Sequence, residues 1–200
     1  MSDKNTTPAR GNFSVQYMTH IAILAAISAV LMRFEIPIFG NIYKLDASNV
    51  PVMLAGFSMG PVPGIFTLLI NDLINLLFTQ TLGIGDLADF IMTAAFILPA
   101  SLIYKFGKSR KNALIGMIVG TVVASAVAVV VNGTILFPFY MTAFHMDLAA
   151  IAGALGCQQS GMMGILLTTT LPFNLLKWIL ISLLTFVIYK PLSPVLHVKH

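Results

Sequence analysis

The sequence predicts an all-α integral membrane protein in which six transmembrane helices form a bundle with an outward-facing pocket. Of its 200 residues, 58% are hydrophobic and 9% are charged, whereas soluble domains carry about 25% charged residues. The mean hydropathy of +0.92 agrees with this assignment. About 20 apolar residues cross a bilayer, so this length suits one domain of about six spans.

The basic residues indicate how the chain lies in the membrane. Residues 105–112 hold four basic residues in eight, and alternating spans would place eight of the eleven basic residues on the same side. Because basic residues favour the cytoplasmic side, we expect a plasma-membrane protein with both termini in the cytoplasm. The same distribution explains the pI near 9.3 without nucleic-acid binding.

We predict three regions along the chain. Residues 1–13 are polar and form a flexible cytoplasmic tail. Residues 14–190 form a six-helix transmembrane substrate-binding domain, and residues 191–200 form a second cytoplasmic tail.

The first span, residues 14–32, contains overlapping pairs of small residues four positions apart. Such pairs let another helix approach closely. The four residues are Ala22, Ala25, Ala26 and Ala29. They indicate either docking of a partner helix or packing within this chain, and the sequence alone does not separate the two.

Residues 33–51 form a long connection with charges of both signs, which is typical of a binding loop or lid. The second span, residues 52–59, is short and begins within that connection. It ends at a turn that contains two prolines and two glycines, residues 60–64.

The third span, residues 65–78, carries the first polar stripe. Asp72, Asn75 and Thr79 lie at i, i+3 and i+7, so they share one helix face. We expect this face to point into the bundle.

The fourth and fifth spans are more apolar. A short connection that includes Asp86 and Asp89 leads to the fourth span, which ends near Tyr104. The fifth span, residues 113–136, has Asn132 near its end. Residues 137–160 form a second long connection.

The last span, residues 161–189, contains a lysine near its middle. A central lysine costs about 2.5 to 3.5 kcal/mol on insertion scales, so it requires water, a partner or a ligand. Thr170, Asn174 and Lys177 lie at i, i+4 and i+7 and form a second polar stripe. An internal hydrogen-bond network between helices is the alternative interpretation.

In the expected topology both stripes, Asn132 and the long connections converge on the outer half of the bundle. The amides of Asn132 and Asn174 suit a planar amide or imide edge. The Lys177 ammonium and a carboxylate from Asp72 or Asp46 complete a ligand-recognition set, within apolar walls. Asp72 and Lys177 could equally form a buried ion pair.

We find no catalytic motif, and we therefore expect a protein that is not an enzyme. Gly107-Lys108-Ser109 lacks the first glycine and the preceding strand of a phosphate-binding loop. No nucleophile-elbow pattern surrounds Ser160. The single cysteine and the scattered histidines predict no metal site.

Three segments carry a family resemblance: residues 44–51 (KLDASNVP), 85–90 (GDLADF) and 172–177 (PFNLLK). Over nearly its whole length the sequence resembles the riboflavin-binding S components of energy-coupling factor (ECF) vitamin transporters. The resemblance implies a six-helix bundle that captures riboflavin from outside as a transported ligand and has no cofactor.

The resemblance also implies partners and site residues. The partners would be a transmembrane coupling subunit, which docks on the alanine-rich first helix, and two ATPase subunits. The carried-over binding positions are Asn132, Asn174, Lys177, Lys44, Leu45 and Asp46.

Relatives tend to carry other residues at Asn49, Asp86 and Asp89, which leaves flavin mononucleotide (FMN) or another vitamin as an alternative ligand. An ion-coupled secondary transporter that uses Asp72 and Lys177 as a relay is the alternative from another class.

Overall fold

The computed structural model describes residues 15–39, 42–157 and 161–196. The predicted tail at residues 1–13 and the end of the other tail, residues 197–200, lie outside the described residues. The helices are α1 (Val15–Leu31), α2 (Asn49–Met59), α3 (Pro61–Leu76), α4 (Ile84–Phe106), α5 (Arg110–Val131), α6 (Phe137–Ala143), α7 (Leu148–Ala154), α8 (Met162–Ile165) and α9 (Leu171–Leu196).

Two π-helical turns join helices into longer rods. Asn132–Leu136 connects α5 to α6, and Leu166–Thr170 connects α8 to α9. Each π-turn is followed closely by a proline, Pro138 or Pro172, which has no N–H to donate to the helix ladder. The two turns therefore lie where the sequence already interrupts regular α-helical hydrogen bonding.

The bundle agrees with the predicted membrane architecture. Three helical segments in the described residues are long and apolar enough to span a bilayer: Ile84–Phe106, Arg110–Ala143 and Met162–Tyr189. The shorter apolar helices α1, α2 and α3 account for the other three predicted spans.

Five boundaries differ from the sequence-based expectation. Residues 61–64, predicted as part of a turn, form the first turn of α3. The connection after α1 contains an antiparallel hairpin of β1 (Ile36–Phe39) and β2 (Tyr43–Leu45). A left-handed Gly83 (φ 84°) precedes α4, so Asp86 and Asp89 lie in the first two turns of that helix rather than in the connection.

The other two differences are longer helices. Residues 137–143, predicted as connection, continue the fifth span as α6. The last helix extends through Leu196, so the predicted tail at residues 191–200 is helical for six residues.

Close contact between α4 and α5 holds the centre of the bundle together. A Cβ atom at Gly116 would lie 2.6 Å from the carbonyl oxygen of Ala100, and one at Gly120 would lie 2.6 Å from that of Phe96. Phe96 also stacks on Trp178 of α9, with ring centroids 4.6 Å apart. Small residues thus bring the α5 backbone against α4, and α4 contacts α9 through the aromatic pair.

We expect Gly120→Ala to lower thermal stability by about 1 to 3 kcal/mol, because the added methyl group would force two backbones apart. Gly153→Ala in α7 is the matched control, since a Cβ there meets nothing within 4 Å. Thermal unfolding in detergent compares the two variants. An unchanged midpoint for Gly120→Ala would contradict the close contact.

Candidate ligand-binding site

A cavity of about 300 Å³ opens at the end of the bundle where the β-hairpin lies, which we call the hairpin end. Its walls come from the end of α3, the start of α4, the π-turn after α5, and α9. We call the opposite end of the bundle, around residues 105–111, the basic end.

Lys177 of α9 lies at the deep wall of this cavity. Its Nζ donates to Oδ1 of Asp89 on α4 at 2.8 Å, and the Lys177 and Asp89 side chains are 7% and 15% exposed. Thr93 donates to the other oxygen of Asp89 at 3.3 Å. The central lysine thus has an acidic partner on a neighbouring helix.

The sequence suggests Asp72, not Asp89, as the acidic partner of Lys177. Asp72 is buried on α3, where its Oδ1 accepts a hydrogen bond from Asn71 Nδ2 at 3.0 Å. The possible Asp72–Lys177 ion pair is therefore wrong. Because α4 begins earlier than predicted, Asp89 belongs to this helix and contacts Lys177.

Tyr43 of β2 joins the two π-turns. Its hydroxyl donates to Asn132 Oδ1 at 2.9 Å and lies 2.6 Å from Thr170 Oγ1. The ring stacks on Phe173, with centroids 4.8 Å apart and planes 10° apart. Burial raises the pKa of the Tyr43 hydroxyl above its usual range, so this group is a neutral donor.

The two predicted amides differ in what they offer a ligand. Asn132 donates to the Ala128 carbonyl at 2.8 Å, and its Oδ1 already accepts from Tyr43. Asn174 donates to the Thr170 carbonyl at 2.9 Å, while its Oδ1 accepts nothing from the described residues. The Asn174 oxygen thus has an unused acceptor position, but Asn174 is buried outside the cavity lining. The Asn132 oxygen requires Tyr43 to move.

The predicted first-loop residues belong to the hairpin end. Lys44 pairs with Glu35 across the hairpin. The Asp46 carboxylate accepts the Ser48 N–H at 2.7 Å. Burial raises the pKa of the Asp46 carboxyl, and the nearby Lys177 ammonium opposes that rise.

A polar chain closes the side of the cavity near α1. Arg33 donates to Asn75 Oδ1 at 3.0 Å, and Asn75 in turn donates to Asp86. The Arg33 guanidinium also lies 4.0 Å from the centroid of the Phe78 ring. This chain ties the end of α1 to α3 and α4.

Most of the predicted binding residues line the hairpin-end cavity. Those that line the cavity are Lys44, Asp46, Asn75, Asn132 and Lys177. Those outside its lining are Leu45, Asp72, Thr170 and Asn174. Thr170 contacts the cavity wall through Tyr43.

Four residues that line the cavity were missed in the sequence analysis or given no role: Arg33, Tyr43, Asp89 and Phe173. Three of them had a usable signal. Tyr43 directly precedes the segment 44–51, while Asp89 and Phe173 lie within the segments 85–90 and 172–177 that carry the family resemblance. Arg33 depends on tertiary contacts that no spacing rule predicts.

The alanines of α1 do not share one face. Ala22 and Ala26 are exposed, Ala29 is half-buried, and Ala25 is 1% exposed. Ala25 packs inside the chain, so it is unavailable to a docking partner in this conformation.

Comparisons with known proteins give a consistent result. Residues 16–189 match the family described as "ECF transporter, substrate-specific component". The riboflavin transporter RibU of Staphylococcus aureus is 37% identical over 175 residues, which cover 86% of this chain and 88% of that protein. The riboflavin transporter FmnP of Bacillus subtilis is 25% identical over 90% of this chain and 93% of its own length.

A solved structure shows the same fold. It is the S component of a bacterial ECF transporter, with a TM-score of 0.72 and 32% sequence identity. The similarity covers 90% of this chain and 97% of that one.

Proposed function

This chain belongs to the substrate-specific components of ECF transporters, and we propose that it captures riboflavin in the hairpin-end cavity for ATP-driven uptake by partner subunits. The family consists of transporter components rather than enzymes. The riboflavin transporters similar to this chain support the choice of ligand.

One structural observation carries the proposal: the buried Lys177 ammonium lines the same cavity as the stacked rings of Tyr43 and Phe173. The flavin ring system is planar, with an imide edge that offers two carbonyl oxygens and one N–H. Lys177 would donate to a carbonyl, and Asn174 Oδ1, which lies outside the present lining, would accept the N–H once the cavity opens towards it. Phe173 would stack on the ring after Tyr43 moves away.

The remaining polar groups suit the ribityl chain. Asp46, Asn75 and Asn132 line the cavity together with Thr79 and Thr81. Hydroxyl groups can both donate and accept, so they match such a mixed set. A volume near 300 Å³ lies at the lower end of ordinary ligand sites, which is consistent with a hairpin that closes over the ligand.

We further propose that residues 14–190 form the substrate-binding domain, with the hairpin end outside and both termini in the cytoplasm. The basic residues 105–111 support this orientation, because they lie at the end opposite the cavity. The partners would be one transmembrane coupling subunit and two ATPase subunits.

The structure does not favour the ion-coupled alternative. That hypothesis required Asp72 and Lys177 as a relay, but the acidic partner of Lys177 is Asp89. In the proposed function, ATP hydrolysis by partner subunits drives uptake, so this chain needs no ion-binding pair.

The proposed binding role of Lys177 is tested by titrating riboflavin and following the quenching of its fluorescence. Lys177→Met should weaken binding about ten- to hundredfold, because a hydrogen bond from a charged donor is lost. Lys105→Met, at the basic end, is the matched control and should bind as wild type. An equal affinity for Lys177→Met, with an intact thermal transition, would remove Lys177 from the site.

The charge of the cavity favours riboflavin over FMN. Its lining contains three cations and four carboxylates, and Lys44 and Lys177 are already paired. A phosphate with nearly two negative charges would meet an excess of carboxylates near the hairpin.

We therefore expect wild-type protein to prefer riboflavin, and Asp46→Asn to raise the relative affinity for FMN about three- to tenfold, because one carboxylate charge is removed. Asp147→Asn removes an exposed charge outside the cavity and should leave the ratio unchanged. Competition titrations measure the ratio. A ratio unaffected by Asp46→Asn would contradict this account of selectivity.

We propose that the exposed face of α1 around Ala22, Ala26 and Ala29 docks on the coupling subunit. Ala22 and Ala26 lie one turn apart on that face, where small side chains allow close helix approach. The apolar neighbours Ile23 and Ile27 are 53% and 46% exposed.

Ala26→Trp should abolish riboflavin uptake by the assembled transporter yet leave riboflavin binding within about twofold, because the bulky ring blocks helix contact. Ala126→Trp, at an exposed alanine of α5, is the matched control and should retain both activities. Uptake is measured in ATP-loaded vesicles that contain the coupling subunits. Normal uptake by Ala26→Trp would exclude this docking face.

A further inference from the structure

Two adjoining cavities lie at the basic end of the bundle, with volumes of about 260 and 440 Å³. Both are lined by Phe57, Tyr104 and Lys108. We call the two together the basic-end cleft.

The cleft is separate from the flavin cavity. Along α4, Asp89 lines the flavin cavity and Tyr104 lines the cleft. Fifteen residues of α-helix separate these two positions, which corresponds to about 22 Å. A ligand in one cavity therefore does not contact the other.

The charges around the cleft are basic, and none of them forms an ion pair with a described residue. Lys108 and Arg110 line the first cavity, and Lys105 and Lys108 line the second. Neither lining includes an aspartate or glutamate, and the ion pairs found among the described residues are Lys44–Glu35 and Lys177–Asp89. Three cations thus surround a concave surface without a carboxylate, which favours an anion.

The rest of the lining is apolar and aromatic. Phe57, Ala113 and Phe186 line the first cavity, and Phe186 is 43% exposed. The hydroxyls of Tyr104 and Tyr189 lie 2.9 Å apart beside the cations. Tyrosines are enriched where a membrane meets water, so this lining suits a ligand with a charged head and an apolar chain.

We propose that the basic-end cleft binds the headgroup of an anionic phospholipid of the cytoplasmic leaflet. Its phosphate contacts Lys108 and Arg110, and its acyl chain leaves the cleft along Phe186. Basic pockets between transmembrane helices on the cytoplasmic side bind anionic headgroups in this way. The proposal rests on the orientation given under the proposed function but not on the identity of the transported ligand.

Native mass spectrometry of the delipidated protein tests the site with added dioleoylphosphatidylglycerol or dioleoylphosphatidylcholine. We expect one phosphatidylglycerol per chain, bound about fivefold or more tightly than phosphatidylcholine. Lys108→Ala and Arg110→Ala should each weaken its binding about fivefold, since each cation near a lipid surface contributes about that factor.

Lys111→Ala is the matched control, because Lys111 carries the same charge one residue further along α5 but does not line the cleft. It should leave phosphatidylglycerol binding within about twofold. An equal loss in Lys111→Ala would show general surface attraction and overturn the site, as would equal retention of the two lipids.

Inorganic phosphate at millimolar concentration should not displace the lipid. Displacement would show that the cleft takes a free anion and would overturn the assignment to a phospholipid. Riboflavin titration of the same variants keeps the two proposals apart. Normal riboflavin binding with failed lipid binding would reject the cleft alone, and the reverse would reject the flavin assignment alone.

Discussion

The ligand site is built around one buried charge pair, Lys177 with Asp89. An isolated ammonium inside a membrane bundle is costly, and removal of one member of a buried pair commonly costs about 3 to 5 kcal/mol. The pair therefore requires α4 and α9 to stay in register at 2.8 Å between the charged atoms. The aromatic contact between Phe96, about two turns further along α4, and Trp178, the residue after Lys177, supports the same register. The ligand site is built on this fixed junction rather than on a mobile loop.

The hairpin forms the opposite wall of the site, and under the proposed function it is the part that moves. The hairpin places Tyr43 against Asn132 and Thr170, so a single hydroxyl joins the two π-turns. π-Turns inside α-helices are frequent at functional sites. Entry of a flavin would replace the Tyr43 contacts with ligand contacts. Under the proposed function, the helix junction is the preformed side of the site and the Tyr43 wall is the side that closes.

Much of this arrangement follows from sequence patterns. The polar stripe of Thr170, Asn174 and Lys177 predicted a helix face directed into the bundle, and all three residues are buried there. The partner of Lys177 was missed because the start of α4 depends on Gly83, whose left-handed conformation is not encoded in hydrophobic periodicity. Ala25 was assigned to a docking face because a four-residue spacing does not say which side of a helix faces its own bundle. The π-turns were missed as well, although a proline follows each of them.

The identity and amount of flavin bound to the purified chain test the central claim most directly. The protein is incubated with equal concentrations of riboflavin and FMN, freed of excess ligand and denatured, and the released flavin is separated by chromatography and measured by its visible absorption. The account predicts one riboflavin per chain and little FMN. A chain that retains no flavin, or that retains mainly FMN, would contradict the assignment of this cavity to riboflavin.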